Sequence, residues 1–175
     1  KTTTTVNLAA GLARVGQRVL VVDLDPQGNA TMGSGIDKRK LELSVYDVLL
    51  ESASLAEARQ RSAKGGYDVL GANRELSGAE VELVALGRRN ERLREALAGA
   101  ADEYDFVLID CPPSLSLLTL NALTAADGVL VPMQCEYFAL EGLAALVNTI
   151  DALKQRLKPA LQHEGRVLIQ SPAIL

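Results

Sequence analysis

Three aspartates follow apolar segments of the sequence, and a lysine and a threonine stand at its beginning. Asp23 and Asp25 lie in VVDLDPQGNAT, and Asp110 ends the run VLID. Lys1 and Thr2 open KTTTTVNLAA, where four threonines precede an apolar helical pattern. A lysine ammonium group and the free N–H groups of a helix start attract phosphate, whereas carboxylate and hydroxyl oxygens suit Mg²⁺. These residue types favour a site for a cation together with a phosphate group.

Short apolar runs indicate the strands that must position these groups. Three runs are typical of buried parallel strands, and two others are weaker candidates. The strong runs are Arg18–Asp23, Asp105–Asp110 and Gly128–Met133, and the weaker ones are Tyr67–Leu70 and Arg166–Ile169. The strong runs are continuous and β-branched, as expected where helices cover both faces of a sheet. Ligands bind at the carboxyl ends of such strands, so the aspartates should meet at one edge.

Several of these residues also have a purely structural interpretation. A carboxylate at the end of a buried strand is costly unless it is paired, and capping a helix or closing a turn would pair it. For any one aspartate both interpretations remain open, and the convergence of three beside Lys1 and Thr2 favours the ligand site. Asn7 and Asn121 are interpreted as helix-packing or capping residues, and Cys111 as a small buried filler.

Helical patterns fill the intervals between the strands. They cover Thr4–Val15, ending at Gly16, and Glu80–Ala98, which Gly87 can split, and a third pattern runs from 143 to 157. Alternating strands and helices predict an α/β fold in three layers, with a mostly parallel sheet, helices on both faces and right-handed crossovers.

Composition limits the class of protein. The chain has 175 residues, 48% of them hydrophobic, and a formal net charge of −4. This content excludes a disordered protein, and the charge gives no global reason to bind DNA or an anionic membrane. The basic runs Lys38–Lys40 and Arg88-Arg89 are interpreted as solvated faces. With no linker, no signal peptide and no long apolar stretch, we expect residues 1–175 to form one cytoplasmic domain.

Three long segments together resemble a known family. KTTTTVNLAAGLARVGQRVLVVDLDPQGNAT, YDFVLIDCPPSLSLLTLNAL and VLVPMQCEYFALEGLAAL occur in this order. They resemble the ParA/Soj partition ATPases of the MinD/ParA superfamily, which carry a deviant Walker A motif, and the resemblance extends to about Gly165. It implies a P-loop NTPase-like fold, ATP and Mg²⁺ as cofactors, and hydrolysis of ATP to ADP and phosphate.

The resemblance also implies a role for each matching residue. Lys1 would contact the β- and γ-phosphates and act in catalysis, Thr2 would ligate Mg²⁺, and Thr3 would contact the α-phosphate. Asp25, in the segment called switch I, would position the attacking water and is the second catalytic residue. Asp110 would be the Walker B carboxylate, acting on Mg²⁺ through water.

Other residues would support this site. Pro112 would lie beside the nucleotide in switch II, together with Pro113 and Ser114. Asp23 would support the site from behind, and Glu136 would lie toward a dimer interface and the nucleotide.

The sequence departs from the family pattern at both ends. Of the family's KGGVGKT only the final lysine and threonine are present, and the chain begins on a helix where this fold begins on a strand. We expect the first strand, the P-loop glycines and a signature lysine to precede Lys1. The tail RVLIQSPAIL no longer resembles the family. The prediction is an incomplete P-loop ATPase domain that by itself binds ATP weakly or not at all and is marginally stable.

The resemblance implies a nucleotide-switched homodimer that positions or partitions chromosome or plasmid DNA. The intact protein would bind DNA non-specifically at the nucleoid, respond to a ParB-like stimulating protein and not bind membrane. One alternative is a membrane-cycling positioning ATPase of the MinD type. Another is a non-catalytic remnant that acts as an interaction module.

Overall fold

The computed structural model describes residues 1–100, 102–114, 116–134 and 162–169. The chain divides into two units, Lys1–Ala125 and Ala126–Leu175, which are described separately. The helix expected over 143–157 and the candidate residue Glu136 lie outside the described residues. That residues 1–175 form one domain stays a prediction.

The first unit contains four strands and seven α-helices among its described residues. The helices are α1 (Thr2–Arg14), α2 (Asn29–Gly33), α3 (Val45–Leu49), α4 (Leu55–Ala58), α5 (Leu76–Val84), α6 (Arg92–Ala98) and α7 (Leu117–Ala125). The strands are β1 (Val19–Asp23), β2 (Arg59–Arg61), β3 (Asp68–Leu70) and β4 (Phe106–Asp110). The three strands predicted in this unit are confirmed to within one residue at either end. The burial predicted for β4 is wrong at its start, where Phe106 and Val107 are exposed because β4 lies at the edge of the described sheet.

The four strands form one mixed sheet in the order β2-β3-β1-β4. Strand β1 pairs in parallel with β3 and with β4, and β2 runs antiparallel to β3 at the edge. The sequence analysis missed β2 because its three residues, RQR, contain no apolar side chain. The central strand β1 is buried along its whole length, as its unbroken apolar run predicts.

Helices cover both faces of this sheet. Leu20 and Val22 pack into one apolar cluster with residues of α3, α4, α5, α6 and α7. Val19 and Val21, which point the other way, pack into a second cluster with Ala9 of α1 and Ala30 of α2. Since successive strand residues face opposite sides, one strand contributes to both clusters. The predicted three-layer α/β architecture is confirmed in this unit.

An ion pair joins the amino-terminal ends of β1 and β4. The backbone N–H of Arg18 donates to Asp105 Oδ2 at 2.8 Å, and Arg18 Nη2 donates to Asp105 Oδ1 at 2.7 Å. The Arg18 guanidinium lowers the pKa of the Asp105 carboxyl to about 2, mainly through these hydrogen bonds. The Asp105 N–H donates to the Arg18 carbonyl at 2.8 Å. These bonds together align the beginning of β1 with the beginning of β4.

The helix boundaries follow recognisable signals. Helix α1 ends before Gly16, whose φ of +87° is the left-handed conformation expected just after a helix. Between α5 and α6 the chain leaves the helix around Gly87, so the predicted split is confirmed. Helices α3 and α4 begin at capping boxes, Ser44 with Asp47 and Ser54 with Glu57, which the sequence analysis did not use.

The second unit contains two described strands, β5 (Gly128–Gln134) and β6 (Gln162–Ile169). They pair in parallel, with a register irregularity between Val129 and Val131. Both were predicted, although β6 begins four residues before the predicted Arg166. Within the described ranges, none of the helices has the length and apolar character of a bilayer-crossing helix.

Candidate functional site

The first turn of α1 lies against the carboxyl end of β4. Thr2 Oγ1 donates to Asp110 Oδ2 at 2.7 Å, and Thr5 Oγ1 approaches Asp110 Oδ1 at 3.3 Å. Residues three apart lie on the same side of a helix, so both hydroxyls reach one carboxylate. This contact explains why threonines, which are mediocre helix formers, begin the helix. The sequence analysis named Thr2 and missed Thr5, although the threonine run contained that spacing.

Lys1 lies at the same edge. Its ammonium group donates to the Cys111 carbonyl at 3.0 Å, one residue after Asp110. Lys1 is the N-cap residue of α1, and no side chain caps this end of the helix. The exposed Thr3 is in the same turn. The start of α1 thus combines an ammonium group with the positive end of the helix dipole.

Asp23 ends β1 and is fully buried beside Asp110. The two residues are paired across the parallel strands. Asp23 accepts hydrogen bonds from the N–H of Asp25 at 3.1 Å and from the N–H and hydroxyl of Thr31 at 2.8 and 2.7 Å. Burial raises the pKa of the Asp23 carboxyl to about 6 and Asp110 adds to the rise, although the three donors act against it.

Asp25 is the first residue of a tight turn. Its Oδ1 accepts from the Gln27 N–H at 2.9 Å, and its carbonyl accepts from the Gly28 N–H at 2.8 Å. The Lys38 ammonium group donates to the Gln27 carbonyl. Interpreting the basic run as a solvated face is therefore wrong for Lys38, which is half-buried on this turn, while Arg39 is exposed.

Gly28 closes the turn in a conformation that glycine favours. Its φ is +59°, and a Cβ at this position would lie 2.6 Å from the Ala72 carbonyl oxygen. The Ala72 N–H donates to Thr31 Oγ1 at 2.9 Å. The segment after β3 thus forms the floor of the turn that carries Asp25. No sequence spacing connected Ala72 to the site.

The residues predicted to form switch II follow the end of β4. Pro112 is buried, whereas Pro113 and Ser114 are exposed. The Cys111 thiol is neutral at physiological pH, because burial and the nearby Asp110 raise its pKa to about 12. Cys111 packs partly buried against the core, in agreement with its interpretation as a filler.

The predicted residues therefore meet at one edge of the sheet. Thr2 and Asp110 are in contact, Lys1 lies at Cys111, and Asp25 is hydrogen-bonded to Asp23. A hydroxyl and a carboxylate are the oxygen donors that Mg²⁺ accepts, and it commonly takes few protein ligands together with phosphate oxygens and water. The donor set and the helix start fit a magnesium-bound phosphate chain.

Comparisons with known proteins agree with this geometry. The family model described as "AAA domain" matches residues 1–163. The sporulation initiation inhibitor protein Soj of Bacillus subtilis is 51% identical over 168 residues, which are 96% of this chain and 66% of Soj. The chromosome partitioning protein ParA of Myxococcus xanthus is 52% identical over 168 residues, which are 96% of this chain and 59% of that protein.

The chain belongs to the ParA/Soj family of ATPases. It spans less than two thirds of the length of these curated relatives. The resemblance found in the three sequence segments is thus confirmed.

A solved structure shares the fold and much of the sequence of this ParA/Soj chain. It is described as cobyrinic acid a,c-diamide synthase from Mycobacterium smegmatis with bound ATP analog and magnesium. The TM-score is 0.91 at 44% identity, and the match covers 95% of this chain and 68% of that one. The P-loop NTPase-like fold expected from the sequence is confirmed by this similarity.

Proposed function

We propose that this chain is the phosphate- and magnesium-binding part of a ParA-like ATPase that hydrolyses ATP to ADP and phosphate. The observation that carries the proposal is the 2.7 Å hydrogen bond between Thr2 Oγ1 and Asp110 Oδ2, beside the Lys1 ammonium group. The ATP analog and magnesium bound by the Mycobacterium smegmatis neighbour support the choice of ligand.

The contact suits Thr2 to a metal-ligating role. A hydroxyl has one hydrogen and two lone pairs, and the Thr2 O–H donates a hydrogen bond to Asp110. Its lone pairs therefore remain available to a cation, and Asp110 would act on the cation through water. Bound Mg²⁺ would neutralise charge that develops on the β- and γ-phosphates.

The other site residues have complementary roles. Lys1 would exchange the Cys111 carbonyl for the β- and γ-phosphates, a favourable exchange because phosphate is charged. Thr3 would contact the α-phosphate from the first turn of α1, and buried Pro112 would shape the wall beside the nucleotide. Asp25, held at the head of its turn, would position the attacking water.

At the level of the whole protein, we infer an ATP-dependent homodimer that positions or partitions DNA. The named relatives Soj and ParA support this inference. A ParB-like protein would stimulate hydrolysis, and the ATP-bound dimer would bind DNA non-specifically at the nucleoid and not bind membrane.

The central test compares the full-length wild-type protein with Asp25→Asn and with Asp37→Asn, a surface control that pairs with Arg39. Binding of a fluorescent ATP analogue and release of phosphate are measured in Mg²⁺. We expect Asp25→Asn to bind normally but to hydrolyse about 10²-fold more slowly, because it cannot position water. Asp37→Asn should match wild type in both assays.

The results of these and two further assays distinguish the ParA-like ATPase from the alternative functions. A wild-type protein that binds no ATP would overturn the proposal and favour the non-catalytic interaction module. Sedimentation with and without ATP tests the dimer. ATP-dependent binding to anionic vesicles instead of DNA would favour the membrane-cycling alternative.

A further inference from the structure

Asp23 is buried directly behind Asp25, and the proposed chemistry gives it no contact with ATP or Mg²⁺. Its Oδ1 accepts the Asp25 N–H at 3.1 Å. Its Oδ2 accepts both donors of Thr31, the N–H at 2.8 Å and the hydroxyl at 2.7 Å. One carboxylate therefore joins the residue that begins the turn to a residue in α2, beyond its end.

Thr31 extends this connection to a third segment of the chain. Its hydroxyl donates its one proton to Asp23 and accepts the Ala72 N–H at 2.9 Å. Thr31 and Ala72 are both fully buried. A buried N–H without an acceptor is costly, so this hydroxyl ties the segment after β3 to the carboxylate.

The turn has little room to move relative to this network. Gly28 packs so closely on the Ala72 carbonyl that a single methyl group would not fit between them. Lys38 holds the outer side of the turn through the Gln27 carbonyl. The Asp25 side chain itself contributes a local bond to the Gln27 N–H, which fixes the turn but not its place on the sheet.

We propose that Asp23 and Thr31 are positioning residues for Asp25, an inference that rests on the proposed function. The chain of contacts from Ala72 through Thr31 and Asp23 to the Asp25 N–H sets where the Asp25 carboxylate stands over the end of β1. Displacement of a reacting group by about 1 Å can reduce a rate by orders of magnitude without weakening binding. The segment after β3 thereby influences the rate of ATP hydrolysis, although it does not contact the nucleotide.

The test uses Thr31→Val and Thr31→Ser in the full-length protein. Valine has nearly the shape of threonine but no hydroxyl, whereas serine keeps the hydroxyl. The matched control is Ser62→Ala, because Ser62, like Thr31, carries a buried hydroxyl. The Ser62 hydroxyl donates to the Ser34 carbonyl at 2.7 Å. For each variant we measure the kcat of ATP hydrolysis, the Kd of a fluorescent ATP analogue and the melting temperature.

We expect Thr31→Val to lower kcat about tenfold or more while the Kd changes by less than about threefold. Thr31→Ser should restore kcat to within about threefold of wild type. Ser62→Ala should lower the melting temperature as Thr31→Val does but leave kcat unchanged. Asp23→Asn, which replaces one of the two accepting oxygens by an NH₂ group that cannot accept, should reproduce the kcat loss of Thr31→Val.

Three results would overturn the inference in different ways. If wild type hydrolyses ATP and both Thr31→Val and Asp23→Asn retain its kcat, the positioning role is wrong and the proposed function stands. If kcat falls equally in Ser62→Ala, the effect is one of general stability, and the role is again wrong. A wild-type protein without ATP hydrolysis overturns the proposed function and this inference together.

Discussion

Asp23 and Asp110 are paired across β1 and β4, yet their carboxylates have different partners. Asp110 is held by hydroxyls of α1 and stands at the proposed magnesium site. Asp23 is enclosed by the turn that follows its own strand, and burial raises its pKa to about 6. Of these two neighbouring acidic residues, Asp110 thus contacts the start of α1 and Asp23 holds the backbone of the turn.

The raised pKa of Asp23 predicts a pH-dependent stability. The folded-state pKa of about 6 exceeds the ordinary 3.8, so the folded protein binds the proton more tightly than the unfolded chain. The resulting stabilisation is complete below about pH 4 and disappears as the pH rises through about 6, a change of about 2–3 kcal/mol. We measure the free energy of unfolding in urea without Mg²⁺ or nucleotide. The difference in this free energy, Asp23→Asn minus wild type, should therefore increase from pH 4 to pH 7.

Asp37→Asn provides a control of opposite sign. Arg39 lowers the pKa of the Asp37 carboxyl through hydrogen bonds, so any stability it contributes is lost as the pH falls. Asp37→Asn should gain no stability relative to wild type as the pH rises to 7. Parallel pH profiles for wild type and Asp23→Asn would contradict the assignment.

Thr5 should support Asp110 more weakly than Thr2 does. Its hydroxyl lies 3.3 Å from Asp110 Oδ1, against 2.7 Å for the Thr2 contact. We expect Thr5→Val to weaken Mg²⁺ binding in the presence of an ATP analogue about three- to tenfold, the effect of one modest hydrogen bond. Magnesium titration of analogue fluorescence measures this. Thr4→Val changes a residue on another side of α1 and should have no effect; an equal loss there would assign the effect to the helix.

Gly28 and Gly35 allow the effect of backbone strain to be separated from the steric exclusion of a side chain. Their φ angles are +59° and +83°, but only Gly28 faces an obstacle, since a Cβ there would lie 2.6 Å from the Ala72 carbonyl oxygen. Gly35→Ala should lower the free energy of unfolding by about 1 kcal/mol through strain alone. Gly28→Ala should cost more and also lower the kcat of ATP hydrolysis. Similar stability and kcat for the two variants would show that the turn can shift away from Ala72.

Asn121 should be a strong determinant of stability. It is fully buried in α7, its Oδ1 accepts the Leu93 N–H at 3.2 Å, and its Nδ2 donates to the carbonyls of Arg89 and Leu117. Asn121→Ala would leave buried backbone groups unpaired and should lower the free energy of unfolding by about 2–3 kcal/mol.

The matched control for Asn121 is the exposed Asn7. Asn7 likewise donates to the carbonyl four residues earlier, that of Thr3, at 2.8 Å. Asn7→Ala should change the free energy of unfolding by less than about 0.5 kcal/mol. If Asn121→Ala and Asn7→Ala lower the free energy of unfolding equally in urea denaturation, the contacts of Asn121 with the start of α6 contribute nothing to stability.

The sequence predicted the parts of the fold that depend on local composition. The strands β1 and β4 were evident because continuous β-branched runs are rare outside buried sheets, and Asp110 followed from its place at the end of one of them. The edge strand β2 was not evident because its residues, RQR, are all polar. Helix α4 was not evident because its four residues, LAEA, are too few to show a helical period. Capping boxes at Ser44 and Ser54 could have located α3 and α4.

The sequence predicted the residues of the candidate site that could contact a ligand and the supporting Asp23, but not Thr31 and Ala72. Lys1, Thr2 and Asp110 have residue types that suggest phosphate and magnesium chemistry by themselves. Thr31 and Ala72 do not, since a buried threonine and a backbone N–H acquire meaning only when the chain brings them to Asp23. Such long-range contacts depend on the complete fold and leave no spacing in the sequence.

The Arg18–Asp105 ion pair influences the site from the far end of the sheet. It fixes the alignment of β1 and β4 at the ends opposite to the two aspartates, about 16 Å away along the strands. A slip of one residue would turn Asp110 to the other side of the sheet relative to Asp23, away from the threonines. Through strand alignment, this exposed contact thus helps to keep Asp110 beside the hydroxyls of α1.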